Sequence, residues 1–137
     1  MSVIDAPVRA FLERESVGTV VTLRPDGRAR QTLVYYVLDA DRLLLSTVGD
    51  RGKARDVERE GWASFCVMGH QKPWPSCTVE GPATILREGI GEPTARVMEK
   101  ILGKRPDPTP TDEQLGGAGR VILAIEIARV YGVSYIE

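Results

Sequence analysis

Four cationic side chains fall within one short stretch, where a predicted strand gives way to a predicted helix. They are Arg51, Lys53, Arg55 and Arg59. Asp50 is a suitable N-cap for this helix, and Gly61 a suitable residue just past its end. Cations at a helix start, and like charges at i, i+4 spacing, both cost stability. Because the free N–H groups of a helix start bind phosphate well, a phosphate-bearing ligand would remove that cost. The alternative is a solvated basic helix face, screened by Asp56 and Glu58.

Composition limits the classes of function. The 137 residues are enough for a single domain, residues 1–137, with one core. The formal net charge is −1 and no charge block is long, so we expect no nucleic-acid partner. No apolar run approaches the length of a membrane span, and the first residues lack the pattern of a signal peptide. The sequence therefore predicts a soluble, cytoplasmic protein with no membrane partner.

The few cysteine and histidine residues argue against two other kinds of site. Cys66, Cys77 and His70 are the only residues of these types. A closed zinc site needs four ligands, usually Cys or His, so no metal site is predicted. Nothing around His70 resembles a nucleophile elbow. Cys66 lies in an apolar run and is expected to pack as a small hydrophobic side chain.

The elements that must position the cations are predicted to be strands, joined by short turns in the first part of the chain and flanked by helices. Six strands are predicted, over residues 19–23, 29–38, 43–48, 63–68, 76–86 and 121–131. Gly81, inside the fifth strand, indicates a bulge or a close backbone approach. Asp5 is expected to cap a first helix and Pro93 to begin a later one. The expected buried stripe of that later helix is Val97, Met98, Ile101 and Leu102. Residues 104–120 fit no regular element and suggest a lid or a disordered loop.

This pattern fits a small antiparallel barrel with flanking helices. The order of its segments resembles the pyridoxamine 5'-phosphate oxidase-like family of split β-barrel proteins, which bind FMN or the deazaflavin coenzyme F420. The resemblance spans nearly the whole chain, and no single segment is diagnostic. The segments that carry it are residues 22–28, 45–55, 78–81 and 127–132. It implies a mainly β fold with flanking helices, a six-stranded antiparallel split β-barrel.

The departures from the family pattern favour one branch. The authentic oxidase has adjacent Arg and Lys, whereas Gly52 separates Arg51 from Lys53 here, and the closing residues 132–137 contain nothing comparable to the oxidase's substrate-binding Arg and His. Both differences argue against vitamin B6 oxidation. The Arg-x-Lys-x-Arg pattern, the short length and the Val-Tyr-Gly ending resemble the branch that uses F420, with FMN as the alternative cofactor.

The resemblance also implies a homodimer with the cofactor at its interface. It assigns cofactor contacts to the second and third strands, the cationic segment and the fifth strand, with the last group contributed by either subunit. The residues implied are Gln31, Thr32, Leu33, Val34, Ser46, Thr47, Arg51, Lys53, Arg55, Trp74 and Ser76. Without the resemblance, the second-strand residues read as an ordinary sheet strand and Trp74 as a loop aromatic covering the core.

The implied reaction is hydride transfer from C5 of the reduced deazaflavin to a small organic acceptor. The cofactor carries this chemistry, while the protein supplies orientation and phosphate anchoring. Tyr35, Tyr36 and His70 are proton-donor candidates by residue type alone, and solvent is the alternative. Lys104 and Arg105 either extend the basic groove or lie in a solvated loop. Other classes left open are an FMN oxidoreductase, a non-catalytic flavin or haem carrier, and a β domain for protein interaction that binds no chromophore.

Overall fold

The computed structural model describes residues 2–137, which form four helices and seven strands. In chain order these are α1 (Ala6–Arg14), β1 (Val17–Leu23), β2 (Ala29–Asp39), β3 (Arg42–Val48), α2 (Gly52–Glu60), β4 (Trp62–Met68), β5 (Ser76–Leu86), α3 (Gly91–Leu102), α4 (Asp112–Gly117), β6 (Arg120–Glu126) and β7 (Arg129–Ser134). None of the helices in this range has the length and hydropathy that crossing a lipid bilayer requires.

Six of the strands close into a barrel. The strands pair in the order β4-β1-β2-β3-β6-β5-β7, and a further β4–β5 ladder joins the ends of the six-stranded part. Every pairing is antiparallel. β7 is an additional strand beside the first half of β5. The predicted six-stranded antiparallel barrel with flanking helices is therefore confirmed.

The single strand predicted over residues 121–131 is wrong, because the chain changes partner within it. β6 pairs with β3 and the end of β5, whereas β7 pairs with the start of β5. The chain passes from β6 to β7 directly over Gly81. A Cβ on Gly81 would collide with the carbonyl oxygen of Glu126 and lie 3.0 Å from the amide nitrogen of Ala128. Only a residue without a side chain allows this close approach, as expected for Gly81.

β2 changes partner as well, and this divides the sheet. Its first half pairs with β1 as far as Tyr35, and its second half pairs with β3 from Tyr36 onward. Tyr36 is fully buried at this point. Its hydroxyl donates a 2.7 Å hydrogen bond to the carbonyl of Leu12, near the end of α1. Its ring meets that of Phe65 edge to face, with the centroids 5.1 Å apart. The first half of β2 and the end of β3 therefore diverge from a fixed point in the core.

Two clusters of buried side chains stabilise this arrangement. The larger fills the barrel and is closed at one end by Phe11 and Leu12 of α1. The smaller lies outside the barrel, between the sheet and the helices α3 and α4. Its members are Val37, Leu44, Ile90, Val97, Leu115, Ile122 and Ala124. β6 contributes to both clusters, which explains its continuous apolar run.

Three local expectations are wrong. The helix α3 begins at Gly91 and buries Thr94, Ala95 and Val97, whereas the end of the expected stripe, Ile101 and Leu102, is exposed. The segment expected to lack regular structure contains α4, which begins with a capping box. There Thr111 accepts from the amide of Gln114, whose side chain accepts from the amide of Thr111.

The third concerns the cysteines. Cys66 is exposed and Cys77 buried. Because side chains alternate along β4, burial of Phe65 and Val67 turns Cys66 outward. Burial also raises the pKa of the Cys77 thiol to about 11, so this thiol stays protonated near neutral pH.

Candidate functional site

A cleft of about 590 Å³ opens where β2 and β3 diverge. The β2–β3 ladder ends at the Tyr36–Leu45 pair, and beyond it the two strand edges separate. Such edges present backbone donors and acceptors to whatever enters between them. The strands line one side of the cleft with Leu33, Val34, Tyr35, Ser46, Thr47 and Val48. The helices line the other side with Thr94, Val97, Met98, Ile101 and Leu115.

Three cations meet in this cleft. Arg51 and Lys53 come from the start of α2, and Arg120 comes from the start of β6. Arg120 donates a 2.8 Å hydrogen bond to the hydroxyl of Ser46. None of the ion pairs within residues 2–137 involves these three side chains. The cleft is therefore positively charged without internal compensation, which is the electrostatic character of an anion site.

The pKa of Lys53 reports this accumulation of charge. Burial lowers it below the ordinary value for lysine, and the nearby charges of Arg51, Arg120 and Arg30 lower it further. Each of these effects disfavours the protonated amine. A bound anion would oppose the effect of these neighbouring positive charges on Lys53.

The start of α2 differs from the expected form. Asp50 is not the N-cap: Arg51 occupies that position with extended backbone (φ −72°, ψ 154°) and makes no side-chain capping hydrogen bond. The physical reason is a turn, in which the amide of Arg51 donates to the carbonyl of Val48 at 3.1 Å and delays helix entry by one residue. The first turn contains no acidic side chain. At the other end Gly61 adopts the left-handed conformation (φ 67°), which confirms the predicted stop.

Beneath this helix start lies a buried carboxylate. The side chain of Asp56 is 1% exposed and accepts hydrogen bonds from Nε of Arg30 (2.8 Å) and the hydroxyl of Thr22 (2.8 Å). Nη2 of Arg59 donates a third bond to it at 3.1 Å. Burial opposes ionisation of Asp56, but these three hydrogen bonds outweigh it and hold the pKa of the carboxyl below its ordinary value. Asp56 is thus an internal anchor for two arginines rather than a screen on the helix surface.

The cleft brings together about half of the residues that the family resemblance implies for cofactor binding. Those lining it are Leu33, Val34, Ser46, Thr47, Arg51 and Lys53. Gln31 and Thr32 lie further along β2, and Arg55 is exposed on α2. Trp74 and Ser76 lie at the β4–β5 connection and do not line the cleft of their own chain.

Sequence reasoning missed the helical side of the cleft and one of its three cations. Arg120 is the first residue of an apolar strand, and this position is the only signal in the sequence that sets it apart. Met98 and Ile101 were expected in the core, because an apolar stripe does not reveal whether it faces a core or a ligand.

Among the proton-donor candidates only Tyr35 lines the cleft. Tyr36 is buried in the barrel, where burial raises its pKa far above the ordinary value, and His70 contacts Glu15 (2.9 Å) away from the cleft.

Solved structures share this fold. An F420 reductase is 22% identical, with a TM-score of 0.76, over 93% of this chain and 98% of the other. A conserved hypothetical protein from Mycobacterium tuberculosis is also 22% identical, with a TM-score of 0.76, over 95% and 84% of the two chains. General Stress Protein 26 from Bacillus anthracis is 18% identical, with a TM-score of 0.67, over 91% and 89%. At such identities the likeness is one of fold.

The family model described as pyridoxamine 5'-phosphate oxidase matches residues 4–134. That range contains every strand of the barrel, the split between β2 and β3, and the three cations of the cleft. The chain therefore belongs to the pyridoxamine 5'-phosphate oxidase family, as the order of its sequence segments suggested.

Proposed function

We propose that the protein is an oxidoreductase that binds the deazaflavin coenzyme F420 in the cleft and acts on a small organic molecule. The observation that carries the proposal is the convergence of Arg51, Lys53 and Arg120 at a cleft between diverging strands, where none of the three has an acidic partner among residues 2–137. Arginine can hold phosphate through two parallel hydrogen bonds, and lysine adds a compact charge. A cofactor whose phosphate carries negative charge suits this set of donors.

The dimensions and the lining of the cleft fit such a cofactor. A volume of about 590 Å³ lies within the usual range for small-molecule sites, which are mostly apolar with a few polar groups. Leu33, Val34 and Met98 offer apolar contacts to a flat ring system, while Ser46 and Thr47 offer hydroxyl groups. When bound, coenzyme F420 would supply hydride-transfer chemistry.

The residues of this chain would bind and orient the cofactor and shield it from water. The phosphate would be held by Arg51, Lys53 and Arg120, with Arg30 close by at the start of α2. Met98 and Ile101 would exclude water from the helical side, which strengthens electrostatic interactions inside the cleft. Tyr35 is the proton-donor candidate that lines the cleft, and its phenol or solvent would deliver the proton.

Two observations favour F420 over FMN. The Arg-x-Lys-x-Arg pattern of residues 51–55 resembles the F420 branch, and an F420 reductase shares the fold across nearly the whole of both chains. FMN is the alternative, because it presents the same combination of a tricyclic ring and a phosphate. A non-catalytic flavin or haem carrier on the same barrel is the second alternative, and it predicts binding without turnover.

Titration of the purified protein with F420 and then FMN, followed by absorbance and fluorescence, tests the proposal. Each charge-assisted contact contributes about 1.5–3 kcal/mol, so replacing both Arg51 and Lys53 by Ala should weaken binding at least about a hundredfold. Arg42→Gln is a suitable control, since Arg42 pairs with Asp39 at the opposite end of β3. Equal affinity in the double variant and the wild-type protein would refute the phosphate assignment. Turnover of an acceptor with reduced F420 separates an enzyme from a carrier.

We further propose that a second copy of the chain covers the exposed face of the barrel next to the cleft. A cross-strand row runs over β2, β1, β4, β5 and β7. Its members are Leu33, Thr19, Cys66, Thr78 and Tyr131. The exposed members of this row are Leu33, Cys66 and Tyr131, and the two threonines between them are half-buried. Leu33 is 75% exposed and also lines the cleft, so this face and the cleft are continuous. Large exposed apolar patches mark interaction sites.

Ser76 lies at the start of β5, opposite Met68, and Trp74 is exposed in the loop before it. Neither residue lines the cleft of its own chain, so a second subunit would have to bring them to a cleft. Sedimentation of the wild-type protein should give a dimer, and Tyr131→Glu should shift it toward monomer and weaken cofactor binding. A monomeric wild-type protein that binds F420 at full affinity would contradict the shared site.

A further inference from the structure

The first residue of α2 is Gly52, whose lack of a side chain leaves room for the side chain of Arg30 from β2. A Cβ placed on Gly52 would collide with Cζ of Arg30 and lie 2.5 Å from its Nη1 and 2.7 Å from its Nε. The guanidinium of Arg30 therefore occupies the volume that any other residue at position 52 would need. Alanine would favour the helix by about 0.5–1 kcal/mol relative to glycine, so helix stability does not account for Gly52.

Asp56 fixes the orientation of that guanidinium without using all of its donors. Its carboxylate engages Arg30 through Nε alone, at 2.8 Å. Within residues 2–137, no hydrogen bond is made by Nη1 or Nη2 of Arg30. The remaining acceptor capacity of the carboxylate is taken by Thr22 and Arg59. A planar guanidinium held at one edge and open at the other can still form a two-point contact with an oxyanion.

We propose that Asp56 and Gly52 together position Arg30 as a fourth cationic donor to the phosphate of the bound cofactor. Asp56 is a positioning residue that acts through Arg30, and Gly52 supplies the space in which the guanidinium lies. This inference rests on the proposed function, because it concerns the phosphate at the same helix start. It also explains why Gly52 separates Arg51 from Lys53 in this chain.

The charges around Arg30 support a ligand-directed role. Arg30 adds to the positive field that lowers the pKa of Lys53, alongside Arg51 and Arg120. If Arg30 served only to neutralise Asp56, its guanidinium would not need to lie against the start of α2, where the helix already carries partial positive charge. The arrangement becomes favourable once an anion lies between these groups.

The test compares a ligand that carries the phosphate with one that lacks it, using FMN and riboflavin as the probes. The ratio of the riboflavin Kd to the FMN Kd isolates recognition of the phosphate, and a merely structural change in the cleft would alter both constants alike. Gly52→Ala, which removes no charge, should lower this ratio about tenfold or more. Asp56→Asn and Arg30→Gln should lower the ratio by a similar factor.

Two controls make the result decisive. Arg42→Gln removes an ion-paired arginine of matched exposure, 37% against 35% for Arg30, and should leave the ratio unchanged. In an Arg30→Gln background, Gly52→Ala should have no further effect, because the side chain that it displaces is already gone.

A wild-type ratio retained by Gly52→Ala would overturn the inference and leave the proposed function intact, as would an additional loss in the Arg30→Gln background. A wild-type protein that fails to prefer FMN over riboflavin and that also binds no F420 would overturn both.

Discussion

Tyr36→Phe removes a single oxygen atom at the point where β2 changes partner. The hydroxyl of Tyr36 donates a 2.7 Å hydrogen bond to the carbonyl of Leu12, and the ring is fully buried. That carbonyl belongs to the last turn of α1, where carbonyl groups lack partners within the helix. The variant therefore leaves a buried acceptor without its donor, while the packing of the ring against Phe65 is kept.

The magnitude follows from these contacts. A neutral hydrogen bond contributes a net 0.5–1.5 kcal/mol, and a buried group left without a partner costs about 1–3 kcal/mol. We therefore expect the free energy of unfolding to fall by about 1–3 kcal/mol. For a domain of this size, that corresponds to a melting temperature roughly 4–12 °C lower.

Urea unfolding followed by circular dichroism measures this change, and Tyr35→Phe supplies the matched control. Tyr35 is the next residue along β2, it is 39% exposed, and its side chain faces the opposite side of the sheet. Its replacement should change the free energy of unfolding by less than about 0.5 kcal/mol. If the two variants were equally stable, the contact between β2 and α1 would not stabilise the split, and the reasoning would fail.

Three further predictions concern a backbone crossing and two lysines. Gly81→Ala should cost about 3 kcal/mol or more by circular dichroism melting, because its Cβ meets backbone atoms, whereas Gly116→Ala should be neutral since nothing lies within 4 Å of that Cβ. Burial lowers the pKa of Lys100 to about 8, so its charge costs stability below pH 8. That cost is relieved as the pH rises toward the ordinary lysine pKa. Lys100→Met also removes the hydrogen bond to the carbonyl of Glu15, so the prediction concerns the pH dependence: the stability of the variant relative to wild type, measured by urea unfolding, should be higher at pH 7 than at pH 9.5, and the same difference at both pH values would refute the assignment. Because the pKa of Lys53 is lowered, cofactor affinity should begin to decline at a lower pH than it would with an ordinary lysine. Lys53→Arg should abolish this decline when cofactor affinity is measured over a pH series. A decline that persists in the variant would show that another group is responsible.

The sequence predicts the barrel well, because its strands are marked by β-branched residues, by period-two burial and by turns such as Pro25-Asp26-Gly27. The conformation of Gly61 and the close approach at Gly81 were also predictable, since each depends on a property that only glycine has. The cationic segment of residues 51–59 stood out because its cations lie where helix electrostatics disfavours them.

Other features depend on tertiary contacts that no local pattern encodes. Alternation indicates that Tyr35 and Tyr36 face opposite sides of a strand, but it does not say which one enters the core. The exposure of Ile101 depends on where α3 leaves the sheet, and the place of Arg120 in the cleft depends on the pairing of β6 with β3. The partner changes at Tyr36 and after Glu126 follow from barrel closure, which is a property of the whole chain.

The two sides of the cleft differ in how freely their residues can be substituted. The strand side consists of β2 and β3, whose separation begins at a tyrosine fixed to the first helix, so a substitution that widened it would also disturb folding. The helical side consists of α3 and α4, which pack on the outer surface of the sheet. Residues such as Met98 and Ile101 can therefore change without disturbing the barrel. Differences in substrate preference among proteins of this architecture should accumulate on the helical side, while the strand side stays nearly constant.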